Sequence, residues 1–280
     1  MLVETYKKSI KRSKLRLYLG KTFYTYKRYV KWYLKGIKFA DKRENANSID
    51  FSHLYMKHST PLLRELKDVD MYLQYNKITN LSIAIKKING IIIYPGEVFS
   101  YWKLIGKPTK RKGYKEGMVL SNGGFIPGTG GGLCQLSNLL FWMVLHTPLT
   151  VIERHRHSYD VFPDTNRILP FGSGATCCYN YKDLMIKNET NIPFIINLSL
   201  TNEELIGTIK STVSSNYIYE VYENDHYMKS EYWGGYSRHN TLYRKIYDMN
   251  NKEVSDEYLF ENHALMMYEP FLTDNTMNKT

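Results

Sequence analysis

The chain has 280 residues, of which 43% are apolar, so it can bury a sizeable core and is not wholly disordered. Its 38 Lys and Arg residues against 27 Asp and Glu residues give a net charge of +11. Residues 1–43 hold 14 of the basic and two of the acidic residues, which is +12, and the rest of the chain therefore carries −1. Because the basic character is confined to one segment, the composition argues against a nucleic-acid-binding protein, and no specific nucleic-acid partner is predicted.

The cysteines and the hydropathy pattern predict a cytoplasmic location. Cys134, Cys177 and Cys178 are too few for the disulfide framework of a small secreted protein. Basic residues interrupt every candidate signal sequence near the N-terminus, and no run approaches the roughly 20 apolar residues of a membrane span. We expect a cytoplasmic protein that is either free or peripheral on the inner face of the membrane.

Residues 1–43 predict a basic helical arm. From Leu2 to Phe39 the cations alternate with aliphatic and aromatic residues, and Gly20 and Gly36 are the breaks in this pattern. Such a helix is typical of proteins that bind an anionic membrane surface or dock on a partner. The alternative is a helix that packs on the body and extends its lysines into solvent.

The rest of the chain predicts an α+β fold. Residues 44–75 form a polar connector, residues 76–210 the main domain, and residues 211–280 a C-terminal β-rich extension. The apolar spacing at the start of the main domain predicts a helix that ends at Asn89-Gly90. Short apolar runs predict strands at 91–94, 149–158, 175–181, 185–188, 194–201 and from 242 onward. Few long helices and many short strands favour an antiparallel sheet packed on a buried helix.

That buried helix carries a Gly-Gly-Gly-Leu-Cys-Gln motif at its N-terminus. Gly130, Gly131 and Gly132 are followed by Cys134 and an apolar segment that stops before Pro148. In the first helical turn, free backbone N–H groups and the helix dipole stabilise a thiolate, so Cys134 is a candidate nucleophile. Glycine N–H groups can approach a developing oxyanion without steric obstruction, which makes the three glycines candidate oxyanion donors.

A nucleophilic cysteine needs a general base, and the predicted strand that follows the helix offers two histidines. In an extended chain His155 and His157 project to one face, so either can reach the N-terminal end of the helix. The residue that orients this base is left open between three candidates, which are Asp183, Gln135 and Asn188.

The same residues permit other interpretations. A cysteine near a helix start is most often a small buried hydrophobic residue, but such a residue needs no preceding glycine loop. Cys134, one histidine and Cys177 or Cys178 could together bind zinc; however, there is no Cys-x-x-Cys pair, and adjacent strand residues face opposite sides. The glycine loop also lacks the Lys-Ser/Thr of a phosphate-binding loop. No metal and no cofactor is therefore predicted.

Several motifs together resemble the VanW family. They are Pro95-Gly96-Glu97-Val98-Phe99-Ser100, Gly130-Gly131-Gly132-Leu133-Cys134-Gln135-Leu136-Ser137, Glu153-Arg154 with His157, and Asp183-Leu184 with Asn188. The resemblance covers about residues 75–210, and the glycine-cysteine motif is its most specific part. It implies an L,D-transpeptidase-like activity on peptidoglycan stem peptides or their precursors, and a link to glycopeptide resistance.

The resemblance also assigns roles to single residues. It implies Cys134 as the nucleophile and His157, rather than His155, as the base. This chain departs from the family pattern at Gly174, where many members have an aspartate in a Gly-x-Asp-Ala-Thr motif. We expect a cysteine-dependent acyl transferase or peptidase. The alternative is a catalytically inactive accessory or binding module at the inner face of the membrane.

Overall fold

The computed structural model describes residues 13–41, 43, 49–64, 69–121, 123–163 and 168–270. The protein has an α+β fold with mostly antiparallel sheets and few helices, which confirms the predicted fold class at that level. The helices are α1 (Lys14–Leu34), α2 (Met71–Ile88), α3 (Tyr101–Ile105) and α4 (Cys134–Leu145), with a short 3₁₀ helix at Lys110–Lys112. The strands are β1 (His53–Pro61), β2 (Ile91–Ile93), β3 (Val98–Ser100), β4 (Glu116–Ser121), β5 (Gly124–Thr129), β6 (Thr150–Glu153), β7 (Tyr159–Asp160), β8 (Met185–Lys187), β9 (Phe194–Leu200), β10 (Glu204–Ser211), β11 (Tyr217–Ser230), β12 (Tyr236–Asp248) and β13 (Glu253–Met266).

The first sheet has the antiparallel strand order β1-β10-β9-β2. Helix α2 packs against β9, and α4 packs against β1 and β10. A Cβ at Gly207 of β10 would lie 2.6 Å from Met143 Cε of α4, so the glycine lets this helix lie directly on the sheet. The core between them includes Leu139, Leu140 and Phe194.

Strand β1 lies in a segment with the composition of a loop. Residues 44–75 are predicted as a connector, whereas β1, within them, forms an edge strand paired with β10. An edge strand has one neighbour and exposes polar residues, here His53 and Lys57, so its composition resembles that of a connector. The packed body of the protein therefore begins before residue 76.

The second sheet has the order β11-β12-β13-β7, with β7 parallel to β13. Strands β12 and β13 have 13 and 14 residues and are longer than the paired runs predicted from residue 242 onward, and β11 lies before those runs. The rings of Phe260 in β13 and Phe141 in α4 have centroids 5.4 Å apart, which fixes this sheet to the core. A third sheet has the order β3-β8-β6, and β4 and β5 form a hairpin.

Two predicted strands are shorter or absent. Strand β6 ends at Glu153, whereas the prediction extended it to residue 158. Residues 175–181 form no strand; they are irregular chain with a turn at 179–181. The backbone N–H of Thr176 donates to His155 O at 2.7 Å, so these two segments lie against each other as loops. Both segments alternate apolar and polar residues as a strand would, but these residues contact neighbouring loops and not a sheet.

Helix α1 docks on the body through one face. Arg28 and Trp32 are buried, and Arg28 forms a bidentate ion pair with Glu153 at the end of β6. The hydroxyl groups of Tyr29 and Tyr179 lie 3.0 Å apart. This face of α1 packs on the body, as the alternative interpretation of the basic arm predicted. Residues 1–12 of the predicted arm lie outside the described residues. Within the part of the chain that the structure describes, no helix is both long and apolar enough to cross a membrane.

Candidate functional site

Cys134 is the first residue of α4, and two buried side chains hold the turn that precedes it. Tyr101 Oη donates to Leu133 O at 2.8 Å. Asn80 Nδ2 donates to Gly131 O at 2.9 Å. Both Tyr101 and Asn80 are fully buried, so the turn that presents Cys134 is fixed from the inside of the protein.

The glycines of the motif pack closely against neighbouring backbone and side chains. A Cβ at Gly131 would lie 2.2 Å from the carbonyl carbon of Gly117 in β4. Gly130 and Gly132 have φ values of +77° and +87°, a region that side-chain-bearing residues rarely adopt. A Cβ at Gly132 would also lie 2.3 Å from Cγ of Lys77. The triple glycine is therefore required by packing and backbone conformation.

The backbone N–H groups of the three glycines are already engaged. Each donates to a backbone carbonyl; in chain order from Gly130 to Gly132, the acceptors are Lys115, Gly128 and Met118, at 2.9, 3.0 and 2.9 Å. The oxyanion donors predicted from the glycines are thus occupied. The next two N–H groups along the chain, those of Leu133 and Cys134, have no hydrogen-bond partner within the described residues. Within the described chain, these two groups are unpaired backbone donors at the start of α4.

We expect Gly131→Ala to lower the free energy of unfolding by about 3 kcal/mol, at the upper end of the usual cost of overpacking. The added methyl group meets the backbone of Gly117, which has no side-chain rotamer that could relieve the clash. Gly20→Ala in α1 is the matched control, because no atom lies within 4 Å of a Cβ there. It should raise helix stability by up to about 1 kcal/mol. Denaturant unfolding compares the two variants; equal effects would contradict the packing argument.

The thiol of Cys134 is half-buried and donates a hydrogen bond to Cys177 O, with 3.9 Å between Sγ and O. Burial raises the pKa of Cys134 above its ordinary value, and the positive charge of Lys182 opposes this shift. The thiol is therefore protonated at neutral pH. To act as a nucleophile, it must transfer its proton to a base.

Cys177 and Cys178 differ in exposure. Cys177 is buried and Cys178 is half-buried, so these adjacent cysteines do lie in different surroundings. Among the residues that the structure describes, no group of three or more His, Cys, Asp or Glu side chains is placed to hold a metal ion.

The loop of residues 172–178 lies against the N-terminal half of α4. Ser137 Oγ donates to Ala175 O at 2.7 Å, and Asn138 Oδ1 accepts from Ala175 N at 2.9 Å. A Cβ at Gly174 would lie 2.6 Å from Asn138 Oδ1. The position at which the family pattern has an aspartate is therefore closely packed by the Asn138 amide, and an aspartate there would have to displace it.

His155 is the candidate base that the structure orients. Its Nε2 lies 3.1 Å from Glu153 Oε1, and this carboxylate partner fixes the orientation of the ring. The backbone carbonyl of His155 accepts from Thr176 N, and the next residue, Cys177, supplies the carbonyl bound by Cys134. His155 and the thiol are thus linked through two consecutive residues of one loop.

His157 lies in an environment that disfavours a positive charge. Burial and the nearby charges of Lys182 and Arg154 lower the pKa of His157 to about 4. His157 is therefore neutral at pH 7, and an imidazolium at this position is costly. In the described ranges of the chain, no hydrogen bond joins His155 or His157 to the thiol of Cys134.

Asp183 holds the start of α3 rather than a histidine. It is fully buried; Oδ2 accepts from Ser100 Oγ at 2.6 Å, and Oδ1 accepts from Trp102 N at 2.9 Å. Burial raises the pKa of Asp183 to about 6, although these hydrogen bonds act in the opposite direction. Its oxygens bind the Ser100 hydroxyl and the backbone at the start of α3.

Gln135 and Asn188 also bind backbone in this structure. Gln135 Nε2 donates to Thr60 Oγ1 and Pro61 O in β1, both at 2.9 Å. Asn188 Nδ2 donates to Ile93 O at 2.8 Å at the end of β2. Both residues hold neighbouring elements in place, and the carboxylate bonded to a candidate base is Glu153 instead.

Glu153 and Arg154 have structural partners that the sequence does not indicate. Glu153 accepts from Arg28 of α1 and from His155. Arg154 Nε donates to Gly174 O at 3.0 Å, and its Nη2 donates to Asn262 Oδ1 of β13 at 2.8 Å. The two residues thus connect the site to α1 on one side and to the C-terminal sheet on the other. The sequence signal that could have indicated these contacts is the pair of adjacent charged residues, one acidic and one basic, at the end of an apolar strand.

Comparison with known proteins finds a family match over the middle of the chain. Residues 76–210 match the family model described as VanW like protein. Over these residues, the chain is similar to the VanW family. The matched region contains the glycine motif, Cys134, Glu153, His155 and His157, so the candidate site lies entirely inside it.

Two curated relatives are similar over the same part of the chain. The Vancomycin B-type resistance protein VanW of Enterococcus faecalis is 40% identical over 152 residues, which are 54% of this chain and 55% of that protein. The uncharacterized protein YoaR of Bacillus subtilis is 28% identical over 168 residues, 57% of this chain and 54% of that protein. The chain thus spans about half the length of each of these two relatives. No solved structure matches.

Proposed function

We propose that this VanW-like protein is a cysteine-dependent acyl transferase or peptidase, L,D-transpeptidase-like, that acts on peptidoglycan stem peptides or their precursors. The observation that carries the proposal is the setting of Cys134. Its half-buried thiol begins α4, beside two backbone N–H groups that have no partner among the described residues. One loop separates it from a histidine that a carboxylate orients. Similarity to a protein named for vancomycin resistance supports a role in the cell envelope.

The proposed reaction passes through a thioester. Cys134 Sγ releases its hydrogen bond to Cys177 O and attacks the carbonyl carbon of a peptide bond, while its proton moves to His155. The N–H groups of Leu133 and Cys134 donate to the resulting oxyanion. When the C–N bond breaks, His155 returns the proton to the leaving amine. An amine or water then attacks the thioester, which releases the acyl group and restores the thiol.

Electrostatics favours His155 over His157 as the proton acceptor. A base that takes the thiol proton becomes an imidazolium, and the group 3.1 Å from His155 is the carboxylate of Glu153. His157 instead lies near the cations Lys182 and Arg154, which lower its pKa. The positive charge of Lys182 has a favourable effect on the nucleophile, because it lowers the pKa of Cys134 and so favours the thiolate.

A covalent acyl-enzyme is the direct test. After incubation with a stem-tetrapeptide donor, intact-mass spectrometry should show the added acyl group, and peptide mapping should place it on Cys134. Hydroxylamine should remove it, because the bond is a thioester. Cys178→Ala is the matched control, since it removes a neighbouring half-buried thiol and should leave the adduct in place. If no donor forms an adduct and Cys134→Ala unfolds the protein, Cys134 is structural and the proposal fails.

A non-catalytic accessory or binding module is the second candidate. Two observations favour it. The Cys134 thiol donates to Cys177 O, and within the described residues neither His155 nor His157 forms a hydrogen bond to that thiol. Such a module would bind a stem peptide without forming a thioester. Calorimetric binding of the peptide that is equal in the wild type and in Cys134→Ala, with no adduct in either, would support this candidate over the enzyme.

A further inference from the structure

Helix α1 has an exposed apolar face opposite the face that docks on the body. The docked face carries Arg28 and Trp32, which are buried. The opposite face carries residues spaced by four, four, three and four positions, which puts them on one side of a helix. They are Leu15, Leu19, Phe23, Tyr26 and Val30, and their exposure runs from 47% to 68%. A helix that served only to pack on the body would not need this second apolar stripe.

In the part of the chain that the structure describes, most cations of α1 are not paired with an acidic residue, and two of them, Arg16 and Lys27, flank the apolar stripe. The helix contains no acidic residue. Arg28 and Lys31 pair with Glu153 of the body. The other cations of α1 and its C-cap form no ion pair with described residues; they are Lys14, Arg16, Lys21, Lys27 and Lys35. The exposed surface of α1 therefore combines an apolar stripe with uncompensated positive charge.

We infer that the exposed face of α1 docks on an anionic lipid surface, with the helix lying in the interface. Aliphatic and aromatic side chains of the stripe enter the boundary between headgroups and acyl chains, while Arg16 and Lys27 beside them pair with lipid phosphates. A nucleic acid would satisfy the cations but leave the apolar stripe in water. The charge of the helix also prevents it from crossing the membrane, in agreement with its hydropathy.

The docked face of α1 contacts residues of the candidate site, so the exposed face of the same helix is connected to that site. Arg28 binds Glu153, which is also the partner of His155. Tyr29 contacts Tyr179, two residues beyond the Cys177 carbonyl that accepts from the thiol. Docking of α1 would therefore hold the site next to the membrane surface. The inference does not depend on the proposed chemistry, because lipid binding needs neither Cys134 nor a base.

Vesicle co-sedimentation of the full chain tests the inference. We expect binding to phosphatidylcholine vesicles that contain about 30% phosphatidylglycerol, and at least about tenfold weaker binding to pure phosphatidylcholine or at high salt. The triple variant Leu19→Gln, Phe23→Gln, Val30→Gln should bind the anionic vesicles at least about tenfold more weakly. Glutamine keeps helix propensity, so circular dichroism should show α1 intact. Ile218→Thr with Val254→Thr, which removes exposed apolar residues from the C-terminal sheet, should bind like the wild type.

The charges give a second, independent variant. Arg16→Gln with Lys27→Gln should weaken binding by about fivefold per charge, whereas Lys86→Gln with Lys87→Gln on α2 removes the same charge elsewhere and should have little effect. Cys134→Ala should bind vesicles like the wild type, whatever its acyl-transfer activity. Vesicle binding that neither α1 variant weakens would overturn the inference. So would a dimer in lipid-free solution that the triple variant abolishes, because a second copy would then cover the stripe.

Discussion

Glu153→Ala is expected to lower the free energy of unfolding by about 3–5 kcal/mol, the usual cost of breaking a buried ion pair from one side. Arg28 is 6% exposed and Glu153 14% exposed, so the substitution leaves a guanidinium without its counter-charge where water is scarce. It also removes an acceptor from Lys31 and His155. Helix α1 should therefore loosen from the body before the rest unfolds. Urea unfolding followed by circular dichroism measures the total loss.

The exposed ion pair between Lys110 and Glu116 is the matched control. Its side chains are 75% and 48% exposed, so Glu116→Ala should cost no more than about 1 kcal/mol. The double variant Arg28→Met, Glu153→Met should recover part of the loss, because it leaves no unpaired charge between α1 and β6. Similar losses in Glu153→Ala and Glu116→Ala would show that the buried pair does not hold α1 in place.

Stability should also depend on pH through Glu153. Burial favours the protonated carboxyl, but hydrogen bonds from His155, Arg28 and Lys31 outweigh it and hold the pKa of Glu153 well below its ordinary value of 4.5. A carboxyl with a depressed folded-state pKa stabilises the fold above its unfolded pKa and loses that contribution as the pH falls. The free energy of unfolding should therefore decrease below about pH 4.5, more steeply in the wild type than in Glu153→Gln.

Local sequence patterns were sufficient for the elements that frame the site. The apolar spacing before Asn89-Gly90 predicts α2, the isoleucine run after it predicts β2, and the glycine motif predicts a helix with Cys134 in its first turn. Each signal lies within one short stretch of the chain. Helix caps, turn residues and periodicity act at that range, so tertiary contacts did not override them.

Contacts between distant residues could not be predicted in this way. Arg28 and Glu153 are 125 positions apart, and their pairing depends on how α1 packs after the sheet has formed. The close approach of Gly131 to Gly117 depends on the path of the β4-β5 hairpin. The sequence also predicted the glycine N–H groups as oxyanion donors, because it does not show which carbonyl groups fold against them. Which backbone donors stay free is decided by the neighbours that fold against them, here three backbone carbonyls.

His155→Gln is expected to lower the rate of acyl transfer by about 10²–10⁴-fold, the usual contribution of a general base. Glutamine fills a similar volume and can still bond to Glu153, but it cannot take the thiol proton. Cys134→Ser should lower the rate at least as much, because a hydroxyl is a weaker nucleophile at neutral pH. His157→Gln should cause the smaller loss. Turnover of a stem-peptide donor with an amine acceptor, followed by mass spectrometry, compares the three variants.

The pH profile separates the two histidines even if both variants are slow. If His157 carried the proton, its pKa of about 4 would put the acid limb of the rate near pH 4, and that limb would disappear in His157→Gln. With His155 as the base, His157→Gln keeps the pH profile of the wild type. A larger loss in His157→Gln, at an unchanged thermal unfolding midpoint, would move the base to His157. Lys182 and Arg154 would then have to move away from that ring when substrate binds, because an imidazolium next to both cations is disfavoured.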